Sequence, residues 1–304
     1  MACVKHYALN SIENARFKVN VQVNERTLRE VYLPHFKRCI EAGAASVMGA
    51  YNKVRGVQAC HNTYLLKTIL KKEWGFTGFT ISDFVWGVKD TVEAANGGMD
   101  IEMPITQFYG KKLIDAVEKG NVKEELIDEA ALRIVGTVLA FTEAEDPETY
   151  SKDSLLRKEH INLSLEAAEK SMTLLKNEDN TLPFSQEITK KLAVIGRLGN
   201  VENIGDHGSS RVWPPYTVTP LEGLRTYLGN KAEANYFDGS NIDEAKAGAA
   251  DADAVVIIAG YDERDEGEYI NDKYGAGGDR SSLSLRKEEI ALINAVLPEN
   301  KNHV

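Results

Sequence analysis

Short strand-like runs alternate along the chain with segments in which apolar residues recur every three or four positions. In the first half the runs lie at residues 2–8, 44–50, 79–81 and 99–104, and helical spacing is clear at residues 61–74. Short apolar runs are typical of buried strands, and the longer recurrence is typical of amphipathic helices. The alternation predicts an α/β fold with a parallel sheet and helical crossovers.

The second half repeats this alternation after an acidic, proline-bearing stretch. Residues 147–155 are predicted to be a linker between one domain at residues 1–146 and another at residues 156–304. The second domain is expected to begin with a long helix at residues 156–175 and to contain strands at residues 191–196 and 252–260. The first contains four strand–helix units, which fit either a small open sheet or about half of an eight-stranded barrel.

Composition and charge narrow the classes of function. The 304 residues are 43% hydrophobic and 27% charged, with a formal net charge of -10. Nucleic acid and anionic membranes require clustered Lys and Arg, so neither is an expected partner. No apolar run approaches the ~18 residues of a membrane span. Cys3, Cys39 and Cys60 lack the spacing of a zinc site and are expected to be buried free thiols; neither a metal nor a cofactor is expected.

Polar side chains follow three of the predicted strands in the first half. Lys5 and His6 end the first strand, Tyr51 follows the second and Asp83 follows the third. Carboxyl ends of parallel strands share one edge of a sheet, where α/β enzymes place their chemistry. Asp83 has two interpretations, the N-cap of the next helix or a catalytic carboxylate, and the convergence of these residues favours catalysis.

An acidic loop at residues 262–268 directly follows the predicted strand that ends at Gly260. A solvated surface loop is one interpretation, and a catalytic carboxyl group is the other. Glycoside hydrolysis needs two carboxyl groups, one as nucleophile or base and one as proton donor. Asp83 together with Glu266 or Glu268 could supply this pair.

Motifs along the whole chain resemble those of glycoside hydrolase family 3, the β-glucosidase family. In order they are Lys5-His6, SVMGAYNK at residues 46–53, EWGFTGFTISDF at 73–84, NGGMDIEMP at 96–104, LLKN at 174–177, GSS at 208–210, VTPLEG at 218–223 and GDR at 278–280. The resemblance implies the C-terminal portion of a (β/α)8 TIM-type barrel followed by part of an α/β/α sandwich domain. It also implies an O-glycosyl hydrolase that removes terminal β-D-glucosyl or related β-glycosyl residues through a covalent glycosyl-enzyme, with retention.

The resemblance implies roles for residues of the first domain. Asp83 is the nucleophile that attacks the anomeric carbon. Lys5, His6 and Tyr51 line the subsite for the terminal sugar, with Met48 nearby.

It also implies residues around that subsite. Phe84 provides an apolar wall where many relatives carry Trp. Glu266, which precedes Gly267, is the acid/base residue, with Glu268 as the alternative. Ser209 or Ser210 contributes a contact from the second domain.

The resemblance predicts an internal piece of a longer enzyme, without the N-terminal part of the barrel and the C-terminal end of the chain. Such a piece is expected to be poorly stable and inactive unless complemented. The expected substrate is a β-glucoside or an oligosaccharide. The sequence leaves open whether the protein forms a homodimer. It also leaves open whether the protein is cytoplasmic, or is secreted or periplasmic.

Alternative functions are β-xylosidase or β-N-acetylglucosaminidase activity within the family, or a non-catalytic α/β binding module. The N-acetylglucosaminidase branch has a glycine- and histidine-rich loop after Lys-His, whereas residues 7–10 are Tyr-Ala-Leu-Asn here, which favours the glucosidase branch. The only support for a nucleotide-binding module is the glycine-rich run at residues 275–278, and this run lacks the G-x-G-x-x-G pattern.

Overall fold

The chain divides into two compact α/β units, Met1–Ser154 and Leu155–Val304. The computed structural model describes residues 1–145, 151–185, 187–269 and 278–304. Residues 147–150 of the predicted linker and residues 275–277 of the glycine-rich run lie outside the described residues. The predicted α/β class is confirmed in both units.

Two small sheets organise the first unit. Its strands are β1 (Cys3–Tyr7), β2 (Asn20–Val21), β3 (Ser46–Gly49), β4 (Lys53–Val54), β5 (Val57–Gln58) and β6 (Phe79–Ser82). β1, β3 and β6 form a parallel sheet in that order, and β2, β4 and β5 form a second sheet. The second sheet was not predicted, because its strands are two residues long and carry no periodic signal.

Helices follow the strands of the parallel sheet, as the alternation predicts. They are α1 (Glu25–Thr27), which continues into a π-helical turn (Leu28–Tyr32), α2 (Pro34–Glu41), a 3-10 turn (Ala59–His61), a π-helix (Tyr64–Glu73), α3 (Thr91–Gly97), α4 (Lys111–Glu118), α5 (Glu124–Glu143) and a 3-10 turn (Lys152–Ser154). Leu65, Leu66, Ile69 and Leu70 of the π-helix are fully buried. Each such side chain contributes roughly 1.5–3 kcal/mol through burial.

The predicted strand at residues 99–104 is wrong. Ile101 makes a single parallel bridge with Ile81, and the residues around it form no strand. The physical reason is the Asp100 side chain, which accepts hydrogen bonds from the backbone N–H of Thr80 (2.7 Å) and from Lys71 Nζ (2.7 Å). A carboxylate that takes a backbone donor in this way replaces the regular ladder between strands.

A three-stranded parallel sheet organises the second unit, with β7 (Lys191–Ile195) between β8 (Glu233–Phe237) and β9 (Ala254–Ile257). Its helices are α6 (Lys158–Ser171), a 3-10 turn (Glu178–Asn180), a 3-10 turn (Arg197–Asn200), α7 (Pro220–Leu228), α8 (Ile242–Asp251), α9 (Lys287–Val296) and a 3-10 turn (Leu297–Glu299). β8 and α8 were not predicted, because β8 is a short edge strand with polar residues and α8 is built mainly on alanines.

Three further predictions meet mixed outcomes. The long helix expected at residues 156–175 ends earlier, because Met172 has an extended backbone. All three cysteines are free, but Cys3 and Cys39 are exposed and only Cys60 is buried, so burial was wrongly predicted for the first two. Helices long and apolar enough to cross a bilayer do not occur among the described residues.

Candidate active site

The ends of the three parallel strands lie in register. Tyr7 pairs with Gly49, and Gly49 pairs with Ser82, so the residues that follow these three positions leave the same edge of the sheet. Asp83 is the first residue after β6, and its backbone N–H donates to the Gly49 carbonyl at 3.1 Å. The parallel register therefore fixes the backbone from which the Asp83 side chain projects.

Asp83 is 6% exposed, and its two carboxylate oxygens differ in their surroundings. Oδ1 accepts the backbone N–H of Phe84 at 2.8 Å. Oδ2 is buried without a hydrogen bond from the described residues, and it lies 3.4 Å from His6 Nε2. One oxygen thus anchors the side chain, and the other keeps its lone pairs available beside a polar neighbour.

The N-cap interpretation of Asp83 is wrong. α3 begins at Thr91, and its N-cap is Asp90, whose side chain accepts the backbone N–H of Glu93 at 2.8 Å. The eight residues from Asp83 to Asp90 pass through a tight turn instead of entering a helix directly. Asp83 is therefore a buried carboxylate that does not cap α3, the helix that follows it.

The other residues predicted from the strand ends lie at different depths. His6 contacts Asp83, and Tyr51 donates its hydroxyl proton to the Phe84 carbonyl at 2.9 Å. Met48 is buried on β3, one residue before Gly49, whereas Lys5 is exposed on β1. The structure thus brings His6, Tyr51 and Asp83 to one place, while Lys5 lies on β1 directly before His6.

An aromatic group that the sequence did not reveal surrounds Tyr51. The ring centroid of Phe17 lies 4.8 Å from that of Tyr51 and 5.2 Å from that of Trp86. The Arg16 guanidinium lies 5.2 Å from the Tyr51 ring centroid, and Arg16 is only 4% exposed. Residues 13–24 have the polar pattern of a connecting segment, so the sequence gives no sign of this aromatic group. The group is recognised only in the structure, where a buried arginine contacts aromatic rings.

Gly87 lets the chain turn closely behind the carboxylate. A Cβ at this position would lie 2.6 Å from the Asp83 carbonyl oxygen and 2.9 Å from the Asp83 nitrogen. The Gly87 N–H donates to that same carbonyl at 3.2 Å. A side chain here would displace the backbone of Asp83.

A buried histidine ties the segment after this turn to α3. His61 is 4% exposed; its Nδ1 lies 3.1 Å from Glu93 Oε2, and its Nε2 accepts the backbone N–H of Lys89 at 3.0 Å. Burial lowers the pKa of His61 below its usual range, although Glu93 opposes this shift. The neutral ring with Nδ1 protonated satisfies both contacts.

We expect this histidine to make folding sensitive to acid. Its pKa is lower in the folded state than the value of about 6.5 in an unfolded chain, so the unfolded state binds more protons as the pH falls. The free energy of unfolding should hold its full His61 contribution above about pH 6.5 and lose it as the pH falls through the folded pKa. Urea unfolding between pH 7.5 and 5 measures this. His61→Gln should flatten that part of the curve, and parallel curves for parent and variant would contradict the expectation.

The acidic loop of the second unit separates the two glutamates that the sequence left as alternatives. The Glu268 carboxylate accepts the backbone N–H of Ser209, and the Glu268 N–H donates to Asp206 at 3.1 Å. Ser210 Oγ also donates to Asp206, at 3.0 Å. Glu268 therefore belongs to one cluster with the predicted serines.

Glu266 has a different partner. Its Oε2 lies 2.6 Å from Arg280 Nε in an ion pair, and half of its side chain is exposed. The loop begins at Asp262, whose carboxylate contacts Arg264, Arg197 and Arg286. Hydrogen bonds from Arg264, with Arg197 beside it, hold the pKa of Asp262 well below its usual range. This ionic cluster fixes the start of the acidic loop.

Groups of three or more His, Cys, Asp or Glu side chains placed to bind a metal do not occur within the described ranges.

Two protein-family models match the chain. The glycosyl hydrolase family 3 N terminal domain matches residues 1–137, and the glycosyl hydrolase family 3 C-terminal domain matches residues 172–304. Together these matches cover most of both units.

Proteins and structures similar to the chain carry β-glucosidase names. Thermostable beta-glucosidase B of Acetivibrio thermocellus is 34% identical over 317 aligned residues, which cover 100% of this chain and 40% of that protein. Beta-glucosidase B of Emericella nidulans is 38% identical over 245 residues, 79% of this chain and 29% of that protein. The crystal structure of beta-D-glucoside glucohydrolase from Trichoderma reesei matches with a TM-score of 0.83 and 29% identity, over 99% of this chain and 45% of that one. The chain thus spans less than half the length of these relatives.

Proposed function

The chain belongs to glycosyl hydrolase family 3, and we propose that the protein containing it hydrolyses terminal β-D-glucosyl residues with retention at the anomeric carbon. The observation that carries the proposal is the state of Asp83. It is a buried carboxylate at the meeting point of three parallel strands, with one oxygen anchored by Phe84 N–H and the other unbonded beside His6. This arrangement suits a nucleophile better than a structural carboxylate, whose oxygens would both be engaged.

The proposed reaction has two steps. Asp83 Oδ2 attacks the anomeric carbon, the bond from that carbon to the leaving oxygen breaks, and a second carboxyl group gives its proton to the leaving oxygen. The same second group then takes a proton from water as the water attacks the anomeric carbon, which releases Asp83 as a carboxylate. Two displacements at one carbon restore the β configuration.

We propose that the surroundings of Asp83 grip the terminal sugar. His6 and Lys5 are polar groups that can donate hydrogen bonds to sugar hydroxyls, and Tyr51 supports the backbone directly after the nucleophile. Met48 and Phe84 add apolar surface. The buried guanidinium of Arg16 joins this group because it lies against the Tyr51 ring.

For the acid/base residue we propose Glu268 ahead of Glu266, with Ser209 and Ser210 beside it. A general acid must reach the leaving oxygen of the substrate. Glu266 Oε2 is engaged in an ion pair with Arg280, whereas Glu268 lies in one cluster with the predicted serines through its contact with the backbone N–H of Ser209.

We also propose the architecture in finer detail. Residues 1–146 are part of a (β/α)8 barrel, which the chain-order adjacency of β1, β3 and β6 and the further bridge at Ile101 support. Residues 156–304 are part of an α/β/α sandwich, which the central position of β7 supports, and residues 147–155 link the two.

The product's stereochemistry tests the proposed function. The complete gene product that contains this chain is expected to release β-glucose first from 4-nitrophenyl β-glucoside, as followed by proton NMR before mutarotation. Matched 4-nitrophenyl β-xyloside and N-acetyl-β-glucosaminide should react more slowly. Initial release of α-glucose, or faster hydrolysis of either matched glycoside, would overturn the proposal.

A further inference from the structure

The turn after Asp83 holds a valine in a backbone conformation that valine rarely adopts. Val85 has φ +69°, in the left-handed region. A β-branched residue is a clear outlier there, and such conformations persist only when neighbouring groups enforce them. Since Asp83 Oδ1 accepts the N–H of Phe84 at 2.8 Å, the path of this turn also sets the direction of the carboxylate.

Hydrogen bonds from other parts of the unit hold both peptide groups of the turn. Tyr51 donates to the Phe84 carbonyl at 2.9 Å, and the Val85 N–H donates to the Met103 carbonyl at 3.0 Å. The Gln107 side-chain amide donates to the Val85 carbonyl at 3.2 Å. Of these restraints, the Gln107 contact can be removed without altering the backbone or the aromatic group around Tyr51.

Gln107 is itself held in place by a carboxylate. Both oxygens of Glu102 lie 3.1 Å from the backbone nitrogen of Gln107, and Glu102 also accepts the backbone N–H groups of Phe108 and Tyr109. Three consecutive donors on one carboxylate fix the backbone of this loop. The Gln107 amide therefore starts from a fixed position and can hold the Val85 carbonyl in one orientation.

We propose that Gln107 is a positioning residue for the nucleophile: it keeps Val85 in the left-handed conformation and thereby keeps the Phe84 N–H on Asp83 Oδ1. The inference rests on the proposed function of Asp83, and it adds a residue that touches neither the sugar nor the reacting atoms. Without the Gln107 bond, Val85 relaxes toward negative φ, and the Phe84 peptide turns away from Asp83.

Kinetics of covalent labelling test the proposal in the complete gene product. A 2-fluoro-glucoside with a dinitrophenyl leaving group separates sugar binding (KI) from attack by Asp83 (kinact). Gln107→Met keeps the side-chain length but removes the hydrogen-bond donor. It should lower kinact by about 10- to 100-fold, because the strain energy of a left-handed backbone conformation corresponds to a rate change in this range. KI should stay within about twofold, because sugar-binding residues are untouched.

A second substitution distinguishes positioning from a general structural role. Asparagine tolerates positive φ far better than valine, so Val85→Asn in the Gln107→Met background should restore most of the lost kinact. Failure of Val85→Asn to restore kinact, or an equal change in KI and kinact, would overturn the proposal.

Amide hydrogen exchange tests the same restraint without activity. Gln107→Met should speed exchange at Phe84 and Val85 at least tenfold, and Val85→Asn should reverse this. Unchanged exchange in Gln107→Met overturns the positioning role even if Asp83 is labelled. Faster exchange that Val85→Asn reverses supports it, and an absence of Asp83 labelling in the parent would then count only against the proposed function.

Discussion

Replacing Asp83 with asparagine is expected to abolish glycosyl transfer to the protein. The amide keeps the size of the side chain and can still accept the Phe84 N–H, but it lacks the anionic oxygen that would attack the anomeric carbon. Removal of a covalent nucleophile lowers kcat by about four orders of magnitude or more. Hydrolysis of 4-nitrophenyl β-glucoside by the complete gene product measures the loss.

Labelling gives the same prediction at residue level. The 2-fluoro-glucoside should modify one peptide of the parent, and the adduct should lie on Asp83. Asp90→Asn is the matched control, because it makes the same chemical change in the same segment, and asparagine caps α3 about as well as aspartate. Near-parental turnover in Asp83→Asn, or an adduct on another carboxylate, would refute the assignment.

The convergence of His6, Tyr51 and Asp83 was predictable because it depends only on parallel strands having a common direction. Three short runs and their crossover helices are local patterns, and a parallel sheet places the ends of its strands at one edge. The register that joins Tyr7, Gly49 and Ser82 is the physical expression of that rule.

The local sequence pattern could not decide whether Asp83 caps a helix or is a catalytic carboxylate. Asp83 and Asp90 both precede helical spacing, and either could begin α3. Only the tight turn between them, which requires the close approach of Gly87, shows that the helix starts later.

Other features escaped prediction because they depend on contacts between distant segments. The left-handed φ of Val85 contradicts its residue type, and hydrogen bonds with Tyr51, Met103 and Gln107, all distant in sequence, hold its turn. The Asp100 carboxylate likewise accepts the backbone N–H of Thr80, so a segment with the sequence pattern of a strand forms a single bridge, at Ile101.

Glu268→Gln is expected to remove proton transfer while leaving the nucleophile intact. Loss of a general acid costs about 10²- to 10⁴-fold, but a dinitrophenol leaving group needs no proton. Turnover of methyl β-glucoside should therefore fall within that range, and formation of the glycosyl-enzyme from dinitrophenyl β-glucoside should stay near the parental rate. Added azide should then accelerate release and yield β-glucosyl azide, since azide replaces water without base catalysis.

Glu266→Gln is the matched control, two residues away and with the same change of charge. It severs the ion pair with Arg280, and a pair exposed to this degree contributes about 0–1 kcal/mol. We expect it to retain most of the turnover of methyl β-glucoside and to show no acceleration by azide. If azide instead rescues Glu266→Gln and leaves Glu268→Gln unchanged, the proton donor is Glu266, and the contact between Glu268 and Ser209 serves only to hold the loop.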